Sequence, residues 1–193
     1  MSSSPQTRKT PSGTAPSDTP DAADLEPLFG SEVIQAGVAA LGQRITAELG
    51  GEDPILVALL GGSIIFLADL VRAIGKPIRY EFIHVGAEEE SGVMQIQYPI
   101  PLDIAGQSVL VIKDVVASGV TEPYLDQQLR NHGARDVRFA ALIDIPDDRK
   151  TGFEVSYAVF ATPRQGVLVG YGLKRDGRYG NLPYVARLPG GEE

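Results

Sequence analysis

Twice in this chain an almost unbroken apolar run stops at a glycine-bearing turn, and the spacing beyond it becomes helical. Ile55-Leu-Val-Ala-Leu-Leu60 leads into Gly61-Gly62-Ser63 and a helical stretch from Ile64 to Ile74. Ser108-Val-Leu-Val-Ile112 leads into Lys113-Asp114-Val-Val-Ala-Ser-Gly-Val-Thr121 and a helix to about Asn131, which His132-Gly133 closes. A strand that is apolar at successive positions must be covered on both faces, the condition met in parallel sheets with helical crossovers. Further strands are predicted at 137–144 and 155–160, with extended segments at 78–85 and 93–97 around an acidic loop, 86–92. The predicted fold class is α/β, a doubly wound, mostly parallel sheet flanked by helices. Such sheets bind ligands outside the carboxyl ends of their strands, which directs attention to residues 60–63 and 113–121.

Residues 1–24 contain Ser, Thr, Pro, Asp and Ala and no apolar side chain larger than Met1. They cannot bury enough surface to offset ordering entropy, so a disordered tail is expected there, with one domain over 25–193. That domain opens with a helix: Ser31 is the predicted N-cap, Ile34, Val38, Leu41, Ile45 and Leu49 form its apolar face, and Gly50-Gly51 ends it. The 193 residues carry a net charge of −8, which disfavours nucleic acid as a partner. Without cysteine there is no disulfide, thiolate metal site or thiol nucleophile, and two histidines cannot make a three-histidine site. No apolar stretch approaches the ~18 residues of a membrane span, and the N-terminus lacks the apolar core of a signal peptide. A soluble cytoplasmic protein is the expectation.

Ser118-Gly119-Val120-Thr121 sits where a buried strand turns into a helix, a place where free N–H groups and the helix end favour a phosphate. Gly61-Gly62-Ser63 is a second candidate anion loop. Other standouts have plainer readings. Glu88-Glu89-Glu90 reads as a solvated loop, His84 as a structural residue, and His132 as the end of a helix. Asp147-Asp148-Arg149-Lys150 reads as an exposed turn. Lys174, Arg175, Arg178 and Arg187 form a basic cluster in sequence, which either lines a pocket mouth or offsets the acidic surface.

From Leu28 onward the chain resembles the hypoxanthine-guanine phosphoribosyltransferases. The resemblance rests on LLGGSIIFLADLVRAIGKPI (59–78), SVLVIKDVVASGVT (108–121), ALIDIPDDRK (141–150) and VGYGLKRDGRYGNLPYV (169–185). It implies a type I phosphoribosyltransferase fold with a small hood. It also implies transfer of ribose 5-phosphate from phosphoribosyl pyrophosphate to a 6-oxopurine with magnesium. Carried over by motif, Ser118, Gly119, Val120 and Thr121 bind the 5-phosphate, Asp114 the ribose, and Gly61 and Gly62 form the pyrophosphate loop.

Several family positions are changed. Lys113 stands for a ribose acid, Ala117 for the base, Ile145 for the lysine that reads the purine oxygen, and Val167 for the stacking aromatic. Lys174 stands for a metal-binding aspartate, Gly180 for a basic residue before NLPY, and Gly61 for a lysine; the mobile loop at 86–92 lacks tyrosine. These changes predict a degenerate site with no catalytic residue, no metal and no cofactor. The expected role is a nucleotide- or phosphate-binding or regulatory paralogue, the alternative being an active transferase acting on a 6-oxopurine or another base. Expected partners are a phosphorylated small molecule or nucleotide, a second copy in a homodimer or higher homo-oligomer, and an active paralogue, with neither nucleic acid nor membrane.

Overall fold

The structure, a computed structural model, describes residues 20–49, 52–87, 94–97 and 103–189. Among these residues, helices α1 (Ser31–Leu49), α2 (Ser63–Ala73) and α3 (Thr121–Asn131) are interspersed with nine strands. The strands are β1 (Pro27–Phe29), β2 (Ile55–Leu59), β3 (Arg79–Ala87), β4 (Met94–Gln97), β5 (Ser108–Val116), β6 (Asp136–Asp144), β7 (Tyr157–Ala161), β8 (Leu168–Val169) and β9 (Val185–Arg187). Six of them form one sheet in the order β4-β3-β2-β5-β6-β7. Five run parallel, and β4 turns back antiparallel along β3. The predicted α/β class is what the chain adopts.

Strand periodicity sorts the core into two layers. Leu56, Ala58, Leu110, Ile112 and Leu142 pack against Ile34, Val38, Leu41 and Ile45 of α1 and Phe66, Leu67 and Leu70 of α2. Their neighbours Ile55, Val57, Val109, Val111 and Phe139 pack on the other face with Leu125 and Leu129 of α3. Each fully buried side chain of this size contributes roughly 1.5–3 kcal/mol. The strands that carry the two candidate loops, β2 and β5, are thus clamped from both sides. From β2 the chain moves to β3 and β4 on one side, then returns to β5 on the other. The crevice at the carboxyl ends of β2 and β5 is therefore the topological switch point.

Three local expectations are corrected. The N–H of Ile34 donates to the Gly30 carbonyl at 3.0 Å, so Gly30, not Ser31, caps α1. Strand β5 runs four residues past Ile112, because Lys113, Val115 and Val116 pair with Ala141, Ile143 and Asp144 of β6. Residues 20–24, assigned to the tail by composition, are held in place: Tyr179 donates to the Pro20 carbonyl at 2.7 Å and Tyr184 to the Ala22 carbonyl at 2.9 Å. The side chain of Leu25 is buried just beyond, with Val169, Tyr179 and Ala186. Composition reports a window average, and here two tyrosines far along the chain supply the partners.

A second, antiparallel sheet, ordered β1-β9-β8, joins the two ends of the domain and forms the small hood. Residues 1–19, Gly50-Gly51 and Glu88-Glu89-Glu90 lie outside the described residues. Among those described, no helix is long and apolar enough to cross a membrane.

Candidate functional site

The loop 117–120 connects β5 to α3, whose eleven residues begin without a side-chain cap. It is fastened from behind by the segment after β6. Arg149 Nη1 donates to the Ala117 carbonyl at 2.9 Å, and the Lys150 N–H to that of Ser118 at 2.8 Å. Thr151 Oγ1 donates to the Gly119 carbonyl, also at 2.8 Å. A trans peptide points its C=O and the following N–H in opposite directions. With three successive carbonyls drawn to one side, the N–H groups of Ser118, Gly119 and Val120 face the other. Gly119 has φ +68°, and the concave run of N–H groups that results is an anion-binding arrangement at a helix start. Ser118 Oγ accepts weakly from the Val120 N–H at 3.4 Å.

Arg149 was expected in an exposed turn; instead it is the clasp of this loop. Its side chain is 12% exposed, ion-paired with Asp144 and set over the Phe153 ring at 5.9 Å. Nothing local marks it, because its loop partner Ala117 is 32 residues away.

The second loop forms the wall of the β2–β5 crevice. Gly62 lies against Asp114 so closely that a Cβ there would stand 2.0 Å from Asp114 Oδ2. Gly172 (φ +98°) in turn packs on Gly62, where a Cβ would meet its carbonyl oxygen at 2.2 Å. Gly61, Gly62, Asp114, Leu168, Gly172, Leu173 and Lys174 line a cavity of about 310 Å³. Asp114 Oδ1 accepts the Val115 N–H at 2.8 Å, which orients the carboxylate. Ser63 does not join the anion loop: it is buried and its hydroxyl donates to the Leu59 carbonyl one turn back.

Lys113 does not face this cavity as a free charge. Its Nζ lies 2.9 Å from Glu122 Oε1 in the first turn of α3, with the two side chains 12% and 4% exposed. Lys113 stands where the family keeps an acid, but its charge is matched by a carboxylate from the next helix. Ile145 is core, and its N–H donates to the Val116 carbonyl at 2.9 Å. Val167 packs with the hood cluster.

The basic cluster disperses. Lys174 lines the crevice, Arg178 stands beside Pro20 and Asp21, and Arg187 borders a separate cleft with Asp24 and Glu26. Arg175 and Arg178 bridge each other across a tight hairpin, and Lys174, Arg178 and Arg187 border three different clefts. Tyr171 ties the crevice to α2 by donating to Asp69. Burial first, then the hydrogen bond and negative charge of Asp69, push its phenol well above the usual tyrosine range.

The family model for the phosphoribosyl transferase domain matches residues 30–175. The hypoxanthine-guanine phosphoribosyltransferase of Mycobacterium tuberculosis (strain ATCC 25618 / H37Rv) is 36% identical over 171 residues, 83% of this chain and 84% of its own. The chain belongs to the hypoxanthine-guanine phosphoribosyltransferase family. A second relative of the same name, from Streptococcus pneumoniae (strain ATCC BAA-255 / R6), is 36% identical over 83% of this chain and 91% of its own. Among solved structures, the Bacillus anthracis hypoxanthine-guanine phosphoribosyltransferase, with a HEPES molecule in its active site, superposes with a TM-score of 0.77 at 31% identity, covering 84% of this chain and 95% of that one. A Staphylococcus aureus hypoxanthine phosphoribosyltransferase gives 0.79 at 30% identity, covering 86% of this chain and 94% of that one.

The magnesium that the resemblance implies can be weighed against the residues of this family member. A divalent ion wants several oxygen ligands, and among the described residues Asp114 is the one carboxylate lining this cavity, with Lys174 beside it. Among the described residues no three His, Cys, Asp or Glu side chains gather into a group that could hold a metal ion. The residues do not fit a divalent ion held by the protein at this cavity.

Proposed function

We propose that this chain is a working purine phosphoribosyltransferase that moves ribose 5-phosphate from phosphoribosyl pyrophosphate to a 6-oxopurine. In that transfer a purine nitrogen bonds to the anomeric carbon, the bond from that carbon to the pyrophosphate oxygen breaks, and the purine N–H proton is released. The observation that carries the reading is the pinned loop. Ser118, Gly119, Val120 and Thr121 offer N–H and hydroxyl groups to a 5-phosphate, while Asp114 stands at the adjoining cavity as an acceptor for ribose hydroxyls. The curated relatives that carry the transferase name, at 36% identity over 83% of the chain, support transfer over its loss.

The departures then describe how the enzyme works. Ala117 cannot accept a proton, so the purine proton leaves to water, without general-base help typically worth ~10²–10⁴-fold. Ile145 offers no donor to the purine oxygen, so discrimination among bases is weak. Purified protein with phosphoribosyl pyrophosphate, magnesium and hypoxanthine, guanine, xanthine or adenine in turn is expected to release pyrophosphate slowly. Ala117→Asp is expected to raise that rate at least tenfold.

A second reading, a nucleotide-binding or regulatory paralogue without transfer, is favoured by Ala117 and Ile145 together. It prevails if no base supports turnover while a purine nucleoside monophosphate still binds. Homodimerisation, pairing with an active relative and a cytoplasmic setting are further parts of the proposal. Light scattering of the purified chain, alone and mixed with an active relative, tests the first two.

A further inference from the structure

We infer that the diphosphate end of the crevice recognises its anion through a built-in ammonium, that of Lys174, in place of a divalent ion held by carboxylates. The inference rests on the transferase reading above and concerns the same cavity. Three observations carry it.

First, the cavity wall pairs a single carboxylate, Asp114, with a single cation, Lys174, and is otherwise glycine backbone and leucine. A wall of that composition has too few oxygens to hold a metal ion, and Lys174 is the lining group whose charge can meet an anion. Second, Lys174 is available. Lys113, on β5 next to Asp114, is matched by Glu122 at 2.9 Å. Lys174 has no ion pair among the described residues and its side chain is exposed.

Third, the lysine is seated. Its stem lies along Gly180, where an added Cβ would come 2.9 Å from Lys174 Cγ and 3.3 Å from Cε. Glycine at 180 leaves room for the stem to lie against the backbone beside the cavity that Lys174 lines, and a side chain there would push the stem aside. Lys174 and Gly180 thus act as a matched pair, the second positioning the first. The start of α2, which has no side-chain cap, brings its positive end to the same wall at Gly61 and Gly62.

The test is calorimetric binding of inorganic pyrophosphate to the full chain, in magnesium and in EDTA, beside a purine nucleoside monophosphate as control. Pyrophosphate is expected to bind in EDTA with an affinity within about threefold of that in magnesium. Lys174→Met is expected to weaken binding in EDTA at least tenfold, Lys174→Arg to retain most of it, and Gly180→Ala to weaken it severalfold with an unchanged melting temperature. Lys174→Asp is expected to bind pyrophosphate only when magnesium is present. Binding by the parent that requires magnesium, or Lys174→Met equal to the parent in EDTA, overturns the inference. If the monophosphate still binds in that case, the transferase reading stands and the lysine inference alone has failed. Loss of monophosphate and pyrophosphate binding together in the parent sinks both.

Discussion

Replacing Lys113 with methionine would strand the Glu122 carboxylate inside the protein. The two groups are 2.9 Å apart and their side chains are 12% and 4% exposed. Removing one member of a pair at that depth costs about 3–5 kcal/mol, because the surviving charge stays buried without a partner. For a domain of this size 1 kcal/mol moves Tm by about 2–4 °C. Lys113→Met is therefore expected to lower Tm by roughly 6–20 °C. Lys113→Met with Glu122→Leu removes both charges, and apolar replacement of a buried pair is often neutral or stabilising by about 1–4 kcal/mol. The double variant is expected to recover most of the loss. Urea unfolding of the parent, both single variants and the double closes the cycle and yields the coupling energy. The reasoning is refuted if both singles stay within about 0.5 kcal/mol of the parent, as ordinary surface changes do, or if the two losses simply add. The same pair governs any attempt to restore the family's acid. Lys113→Glu alone places a second carboxylate against Glu122 and should unfold the loop region, whereas Lys113→Glu with Glu122→Leu should be tolerated.

Three further outcomes follow from the site. Arg149→Met removes a charge-assisted bond to the Ala117 carbonyl, of a kind worth about 1.5–3 kcal/mol. It should weaken binding of a purine nucleoside monophosphate about tenfold or more by calorimetry. Gly62→Ala drives a methyl into Asp114; nucleotide affinity should fall while inorganic phosphate, which needs only the 118–121 loop, binds as before. Tyr171 is held protonated above the usual range, and tyrosine in the unfolded chain ionises near pH 10. Its contribution is complete below about pH 10 and is lost as the pH rises beyond it, so Tyr171→Phe should flatten the alkaline fall in stability.

Long-period features were legible in the residues. Runs such as Ile55–Leu59 and the face Ile34, Val38, Leu41, Ile45 follow from burial on two faces of a sheet or one face of a helix, and they lie where their periodicity puts them. The hood was legible only through family resemblance, because β1, β8 and β9 are three, two and three residues long, too short to carry a period. At the site, the phosphate loop was readable as a strand-to-helix turn. Its clasp was not, since Arg149 meets Ala117 only because β6 lies next to β5. The partner of Lys113 was hidden for the same reason: the strand-to-helix turn that brings Glu122 back over it is a property of three dimensions. Ser63 looked like a donor to a ligand until its hydroxyl was found closing on Leu59.

The pairing of β1 with β9 also bears on how the molecule is made. Phe29 is among the first residues of the domain to leave the ribosome, and its strand partner Val185 is among the last. During synthesis the six-stranded sheet can close through β7 while β1 remains an unpaired edge, exposed to other chains. Strand β9 reaches β1 only after the whole six-stranded sheet has been made. A transcript cut short before residue 185 would yield a polypeptide with a nearly complete core and an unpaired first strand, which makes it a ready target for chaperones and proteases.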